Sequence, residues 1–151
     1  MLSFSSQRFK DLEKLKLYEI LALRASVFVV EQNCAYQDLD GKDTKAIHLM
    51  GHSNGELVAY ARVLDKGVSY DNYVSIGRIV TRSEHRGKNY GHKLVAYALE
   101  ECRKRFSGQP VKISAQAHLE EFYNTHGFTA EGKPYLEDDI PHIAMVCNQK
   151  G

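Results

Sequence analysis

The sequence contains few cysteines and no motif that would join them. Cys34, Cys102 and Cys147 are the three cysteines of the 151-residue chain, and they lie far apart without a C-x-x-C pair. Disulfide frameworks and structural zinc sites both depend on paired or closely spaced cysteines. The pattern therefore argues against both and predicts buried or idle thiols.

An excess of charge of one sign is also absent. The chain has 20 basic and 19 acidic residues, which gives a formal net charge of +1. General binding to nucleic acid or to an anionic membrane surface depends on a strongly basic protein. We therefore predict no nucleic acid and no membrane among its partners, and any site for an anion must be local.

Long apolar runs are missing as well. None approaches the roughly 18 residues needed to span a bilayer, and the N-terminal stretch "MLSFSSQRFKDLEKLK" has no apolar run of signal-peptide length. Hydrophobic residues nevertheless make up 43% of the chain, enough for one core without disulfides or metals. The sequence thus predicts a single globular domain over residues 1–151 that stays in the cytoplasm.

Apolar spacing and turn residues predict the order of the secondary-structure elements. The Asn54-Gly55 pair between two apolar stretches is typical of a type I′ hairpin turn. An antiparallel meander followed by β-α-β-α-β indicates an α+β domain with a mixed sheet. The predicted elements are a strand over 2–5, a helix within 11–30, a loop over 34–45, hairpin strands over 46–52 and 57–64, a strand over 73–81, a helix at about 90–106, a strand over 111–117, a short helix over 118–126 stopped by Gly127, and a last strand over 142–147.

The stretch "HRGKNYGHKL" at 85–94 places glycines and basic side chains directly before the predicted helix. The first turn of a helix leaves four N–H groups unpaired and carries a partial positive charge, so a phosphate can bind there. The stretch is not a P-loop, because Asn89 follows Lys88 where a serine or threonine would be needed. It is not G-x-G-x-x-G either, since Asn89 lies between Gly87 and Gly91.

A second motif, "FYNTHGF" at 122–128, follows about thirty residues later. Together with Arg-Gly-x-Asn-x-Gly at 86–91 it resembles the GNAT superfamily of acyl-CoA-dependent N-acetyltransferases. Asn89 stands where that family has its middle glycine, and asparagine tolerates the left-handed backbone that a glycine would adopt. The segments "LRASVFVVEQNCAYQDLDGKD", "GRIVTRSEHRG", "AQAHLEEFYNTHGF" and "EDDIPHIAM" further resemble the ElaA-like branch, with Ala35 in place of a proline and Asp139 in place of a glycine.

The resemblance implies a fold, a reaction and a set of partners. The expected fold is a GNAT-like mixed, mostly antiparallel sheet flanked by helices. The expected reaction is direct transfer of the acetyl group from acetyl-CoA to an amine, carried by a small molecule or a protein. Members of such families often pair, so a homodimer is also compatible with the resemblance.

Site residues follow from the resemblance position by position. Main-chain groups at Ile79, Val80 and Thr81 would bind the pantetheine arm, and Tyr123 would meet the leaving thiolate as general acid. The turn residues expected at the pyrophosphate are Arg86, Gly87, Lys88, Asn89, Tyr90, Gly91 and His92. Gln116 and Asn124 match positions that contact the arm of coenzyme A in relatives.

The sequence does not show which residue is the base that removes a proton from the charged amine. Glu31, His118 and His142 are the candidates, although a lone histidine is more often a structural residue. The acidic run 137–139 is typical of a solvated loop, and it could also attract a cationic amine. The seven histidines include no H-E-x-x-H or similar ligand spacing, so we predict no metal.

Two other functions remain compatible with the sequence. A non-catalytic module could keep an acyl-CoA site as a sensor, in which case Tyr123 would be a core tyrosine beside Phe122. A nucleic-acid-binding domain could use Arg82, Arg86, Lys88 and Lys93, although the near-neutral net charge disfavours it. The sequence does not identify the amine acceptor.

Overall fold

The fold is built on one seven-stranded sheet with the strand order β1-β2-β3-β4-β5-β7-β6. The computed structural model describes residues 1–149. Within them β4 and β5 form the one parallel pair, which confirms the predicted α+β class with a mixed, mostly antiparallel sheet. The elements are β1 Leu2–Arg8, α1 Lys14–Arg24, β2 Ile47–Ser53, β3 Glu56–Leu64, β4 Val74–Thr81, α2 Tyr90–Arg105, β5 Val111–Gln116, α3 Glu120–Asn124, β6 Thr129–Glu137 and β7 Ile140–Cys147.

The predicted hairpin between β2 and β3 is confirmed. Ser53 lies opposite Glu56, and Asn54 and Gly55 both have positive φ angles of 52° and 78°. Positive φ at both central positions is what a type I′ turn requires. This local signal therefore fixes the register of the two strands that form the centre of the meander.

The first helix differs from its prediction in its second half. Regular α-helix ends at Arg24, and the next seven residues, Ala25–Glu31, continue as π-helix. That segment is rich in valine, whose branched side chain is crowded in an α-helix. Ile20, Leu23 and Val27 still pack against the sheet. The predicted helix within 11–30 is therefore present at that place, but its second half is π-helix and not α-helix.

The prediction contained no strand between the short helix and the last strand, and that was wrong. β6 runs over Thr129–Glu137, pairs with β7, and exposes all nine of its residues. In a sequence, a half-buried strand is recognised by the alternation of apolar and polar residues. A strand that is exposed on both faces lacks this alternation. The strand is also irregular, which makes it harder to predict. Gly132 has a φ of 80°, and the register with β7 shifts between Glu131 and Tyr135.

The main core lies between the sheet and α2. The helix buries Leu94, Val95, Ala98 and Cys102 against the strands, as its spacing predicts. All three cysteines are free, and burial raises the pKa of Cys102 to about 12, which leaves its thiol unreactive. No helix within residues 1–149 is long and apolar enough to cross a membrane.

His48 is fully buried between the sheet and the loop that precedes β2. Its Nε2 lies 2.8 Å from the Asp43 carbonyl oxygen and its Nδ1 lies 2.6 Å from the Tyr60 hydroxyl. Because a carbonyl only accepts, Nε2 carries the proton and Nδ1 accepts from Tyr60. Burial lowers the pKa of His48, so the native protein holds this ring neutral.

We expect the free energy of unfolding to fall as the pH drops below about 6.5, where the unfolded chain binds a proton at His48 that the native state excludes. Burial lowers the pKa of His52 and His126 as well, so these two residues also reduce the free energy of unfolding as the pH falls. Urea unfolding at about pH 7.5 and about pH 5.5 measures the loss. The loss should be smaller in His48→Gln, and an equal loss in that variant would contradict the assignment to His48.

Candidate active site

The two central strands of the sheet separate along their length. β4 and β5 pair at Val74 with Val111 and at Ser75 with Lys112, and from Ile76 onward they pair no further. Parallel strands that part in this way leave N–H and C=O groups on their facing edges without sheet partners. The structure thus opens a cleft whose walls carry free main-chain donors and acceptors.

A β-bulge in β4 lies at the mouth of this separation. Tyr60 of β3 lies opposite Val80 and Arg62 opposite Gly77, so β4 has one more residue than its partner over this stretch. Arg78 lies within the bulge with φ of 52°. A bulge bends its strand and redirects the groups beside it, here away from β5.

The central cleft between β4 and β5 has a volume of about 490 Å³. Most residues predicted for the site line it, from β4, β5, β7, the π-helical segment, both later helices and the turns that precede those helices. They are Glu31, Ile79, Val80, Thr81, Arg86, Gly91, Gln116, His118, Tyr123 and His142. Lys88 and Asn124 are exposed and line neither this cleft nor the two cavities that adjoin it.

The glycine-containing turn at the start of α2 has the conformation that its residues suggest. Asn89 precedes the helix with φ of 65°, in the left-handed region that the missing glycine would occupy. Lys93 donates its N–H to the Asn89 carbonyl at 3.1 Å. The N–H groups of Tyr90, Gly91 and His92 precede that first helical bond and have no helical acceptor.

A second cavity of about 280 Å³ lies against this turn and is called the turn pocket. Its lining residues are Thr81, Arg86, Gly87, Asn89, Tyr90, Gly91, His92 and Phe122. Arg86 donates from both terminal nitrogens to the Glu31 carboxylate and also to the Thr81 carbonyl at 3.2 Å. The pocket therefore combines unpaired main-chain donors with one guanidinium held in place.

Tyr123 lies on α3 and is 6% exposed. The rings of Phe122 and Phe128 pack edge-on against it, with centroids at 5.0 and 5.9 Å, and its side chain lines the central cleft. Burial raises the pKa of Tyr123 to about 12. Its phenol is therefore protonated at neutral pH and can act as a hydrogen-bond donor in the cleft.

The three candidate bases have different surroundings. Glu31 is paired with Arg86, and His118 is exposed. His142 is buried on β7, with its Nδ1 at 2.7 Å from the Ile140 carbonyl oxygen. Within residues 1–149, no three His, Cys, Asp or Glu side chains are grouped so that they could hold a metal ion.

A buried charge network that the sequence did not predict holds the loop before β2. Arg24 donates to Asp38 at 2.9 Å and to Asp43 at 2.7 Å, while Arg78 in the bulge lies 2.8 Å from Asp38. The members are Arg24, Arg62, Arg78, Asp38, Asp40 and Asp43. The loop carries Tyr36 into the wall of the cleft, so these ion pairs shape the site.

Comparisons with known proteins agree with this geometry. The profile of the family described as "Acetyltransferase (GNAT) domain" matches residues 13–149. The chain belongs to the GNAT family. It is 42% identical to protein ElaA of Escherichia coli K12 over 97% of this chain and 96% of that protein, which confirms the resemblance to the ElaA-like branch.

Solved GNAT structures share the fold closely. An acyl-CoA N-acyltransferase from Pseudomonas aeruginosa is 44% identical, with a TM-score of 0.92 over 97% of this chain and 99% of that one. The crystal structure of Escherichia coli ElaA is 41% identical, with a TM-score of 0.92 over 98% of this chain and 100% of that one. As a GNAT protein, the chain is an acyltransferase that takes its acyl group from coenzyme A.

In this GNAT chain the cavities follow one another in a row. The turn pocket shares Thr81, Arg86, Gly91 and Phe122 with the central cleft. A third cavity of about 520 Å³, called the adjoining cavity, meets the cleft at its other side and has no lining residue in common with the turn pocket. Two substrates can therefore reach the cleft from different sides.

Proposed function

We propose that the protein transfers the acetyl group of acetyl-CoA directly to an amine. The observation that carries this proposal is the cleft between β4 and β5, which is open to the turn pocket and has the Tyr123 phenol in its wall. A long, narrow substrate with an anionic group at one end and a thioester at the other suits this shape.

The turn pocket would hold the pyrophosphate. The N–H groups of Tyr90, Gly91 and His92 lie at the positive end of the α2 dipole, where an anion is stabilised. Arg86, held by Glu31 and the Thr81 carbonyl, adds a guanidinium whose remaining N–H groups would donate to phosphate oxygens. The pantetheine arm would then run along β4 and bond the main chain at 79–81, where β5 has moved away.

Tyr123 would stabilise the leaving thiolate by a hydrogen bond. With its pKa at about 12 and an ordinary thiol near 8.5, full proton transfer to the thiolate would be uphill by about 5 kcal/mol. A donated hydrogen bond needs no such transfer and grows stronger as negative charge develops on sulfur. The proton that finally reaches coenzyme A would come from the amine.

We expect Tyr123→Phe to lower turnover by about 100- to 1,000-fold, the range seen when one donor to a developing charge is lost, and to change acetyl-CoA affinity by less than about threefold. Thiol release with a panel of primary amines measures the first quantity, and calorimetry measures the second. Tyr97→Phe is the matched control, because Tyr97 stacks on Phe4 outside the cleft.

The outcomes separate the proposal from its alternative. Unchanged turnover in Tyr123→Phe would remove this residue from the mechanism. Binding of acetyl-CoA by the wild-type protein without transfer to any amine would favour a non-catalytic acyl-CoA-binding or sensor module. If acetyl-CoA does not bind at all, the proposed function is wrong.

A further inference from the structure

Two side-chain atoms that can accept hydrogen bonds face each other in the wall of the central cleft. Glu137, the last residue of β6, places its Oε2 at 3.6 Å from Nε2 of His142 on β7. Both residues line the cleft. The separation is longer than a hydrogen bond, so the two atoms are neighbours without being partners.

The protonation of His142 follows from its other nitrogen. Nδ1 lies 2.7 Å from the Ile140 carbonyl oxygen. A carbonyl has no proton to give, so Nδ1 carries a hydrogen, and in the neutral form of the ring the lone pair is then on Nε2. The first residue of β7 thus favours the tautomer whose acceptor nitrogen lies beside Glu137.

Glu137 is held by a chain of hydroxyl groups. Ser114 Oγ lies 3.1 Å from Glu137 Oε1 and 2.5 Å from the Tyr135 hydroxyl. An ionised carboxylate only accepts, so Ser114 donates to Glu137 and Tyr135 in turn donates to Ser114. The Tyr135 ring also stacks on His142, with centroids at 6.3 Å. Strands β5, β6 and β7 therefore fix both acceptors.

Neighbouring charges leave these acceptors available. Lys112 of β5 is bound to Glu131 at 3.2 Å, and Arg78 of β4 lies 2.8 Å from Asp38. Burial and the charges of Tyr135 and Glu137 raise the pKa of Tyr70, so its phenol stays neutral. The charged and titratable groups around the pair are Arg78, Lys112, Asp138, Tyr135 and Tyr70.

The spacing selects a ligand with at least two donors on one atom. A nitrogen at about 2.9 Å from each acceptor bridges a 3.6 Å gap comfortably. A primary ammonium group has three N–H donors and the charge that a carboxylate favours, whereas a hydroxyl group has one donor and a quaternary ammonium none. We propose that Glu137 and His142 form the acceptor subsite, which binds a primary ammonium and passes one of its protons to Nε2 of His142.

This inference rests on the proposed function and adds the site at which the amine binds and loses its proton. The ammonium gives one proton to His142, and the neutral amine then attacks the thioester carbonyl carbon. A C–N bond forms, the C–S bond breaks, and the thiolate takes up the second proton that the nitrogen loses. His142 returns its proton to solvent, so each turn yields one amide, one thiol and one free proton.

The acceptor reaches this subsite from the side opposite to coenzyme A. Ser114 and Glu137 line both the central cleft and the adjoining cavity, which has no residue in common with the turn pocket. The acyl carrier and the amine therefore enter through separate openings, and the pair lies where the amine would meet the cleft.

The first test needs no turnover. In nitrogen-15 NMR of the labelled protein, His142 should appear as the Nδ1–H tautomer, and tyramine or spermidine should shift its Nε2 resonance while tetramethylammonium does not. Glu137→Gln should abolish the shift. Glu56→Gln, on β3 outside the three cavities and 57% exposed against 50% for Glu137, should leave it unchanged. Absence of a shift with either amine would overturn the proposal.

The second test separates binding from proton transfer. With tyramine or spermidine as acceptor, we expect Glu137→Gln to raise the KM for the amine about tenfold or more with little change for acetyl-CoA. His142→Gln should lower kcat about 30-fold or more with these amines but less than about threefold with trifluoroethylamine, which is already neutral at pH 7. Equal losses with both kinds of amine would remove His142 as the base.

The two tests also distinguish this subsite from the overall reaction. Transfer that proceeds equally well in both variants would refute the subsite and leave the acetyltransferase intact. A His142 resonance that responds to primary amines in a protein without transfer would keep the subsite and refute the acetyltransferase.

Discussion

Replacing Gly91 by glutamate is expected to weaken acetyl-CoA binding by about 100-fold or more, a loss of roughly 2.7 kcal/mol. Gly91 lines both the turn pocket and the central cleft. A glutamate side chain there would occupy the space in front of the free N–H groups of α2. Its charge would also oppose the pyrophosphate at close range, where little water screens it.

The matched control is Gly91→Ala, which tests shape without charge. A Cβ at this position would lie 3.5 Å from the Phe122 ring, an ordinary van der Waals contact. We therefore expect the alanine variant to bind within about fivefold of wild type, since a single methyl group displaces little of the ligand. Calorimetry with acetyl-CoA, coenzyme A and ADP measures all three proteins.

The comparison ligands decide what a loss would mean. If the turn holds the pyrophosphate, Gly91→Glu should weaken ADP and acetyl-CoA together, because both carry that group. Acetyl-CoA should bind the wild-type protein more tightly than ADP, since only the former has the pantetheine arm along β4. Undiminished affinity in Gly91→Glu would show that the pyrophosphate binds elsewhere.

Features encoded over a few neighbouring residues were predictable from the sequence. The Asn54-Gly55 turn and the left-handed Asn89 depend on local backbone preferences, and α2 shows its buried face in its spacing. β6 was not predictable, because its signal would have been an alternation that full exposure removes. The change to π-helix after Arg24 also depends on packing against the sheet, which no local pattern records.

The residues of the candidate site could also be predicted only in part. Motifs placed Tyr123, Gly91 and His142 in the set of candidates, and the structure brings all three to one cleft. Lys88 and Asn124 fell in the same motifs but are exposed outside it, since a motif gives neighbours in sequence and not the direction of each side chain.

The acidic run at 137–139 shows why one pattern can carry two roles. Asp138 and Asp139 form the turn between β6 and β7, with φ angles of 50° and 63°. Glu137 belongs to the strand and reaches Ser114 and the vicinity of His142. Sequence alone could not separate them, because the boundary between strand and turn falls inside the run.

The charge network around Arg24 lay beyond sequence reasoning because its members are far apart in the chain. Arg24 belongs to α1, Asp38 and Asp43 to the following loop, and Arg78 to β4. Arg24 is fully buried, and both of its carboxylate partners are largely buried with it. Its removal would therefore take the nearest counter-charge from Asp43 and the most buried one from Asp38, in a region of low polarity.

We expect Arg24→Met to lower the free energy of unfolding by about 3–5 kcal/mol, the usual cost of removing one partner from a buried ion pair. Methionine fills much of the arginine stem's volume, so the loss reports the charge rather than a cavity. Arg103→Met is the control: its pair with Glu100 is exposed on α2, and its loss should cost less than about 1 kcal/mol. Urea unfolding measures both variants.

We expect Arg24→Met to affect the transfer reaction as well, because the charge network joins the loop before β2 to the bulge in β4. The Asp38 carboxylate accepts from Arg24 and from the Tyr36 hydroxyl, and Arg78 in the bulge donates to the Asp38 main-chain carbonyl at 2.9 Å. Asp38 thus links the helix, the strand and the cleft wall. Without Arg24 that carboxylate loses its most buried partner, and the wall formed by Tyr36 loses its anchor. If Arg24→Met unfolds no more easily than Arg103→Met, the buried pairs contribute no net stability, and the loop must owe its position to apolar packing instead.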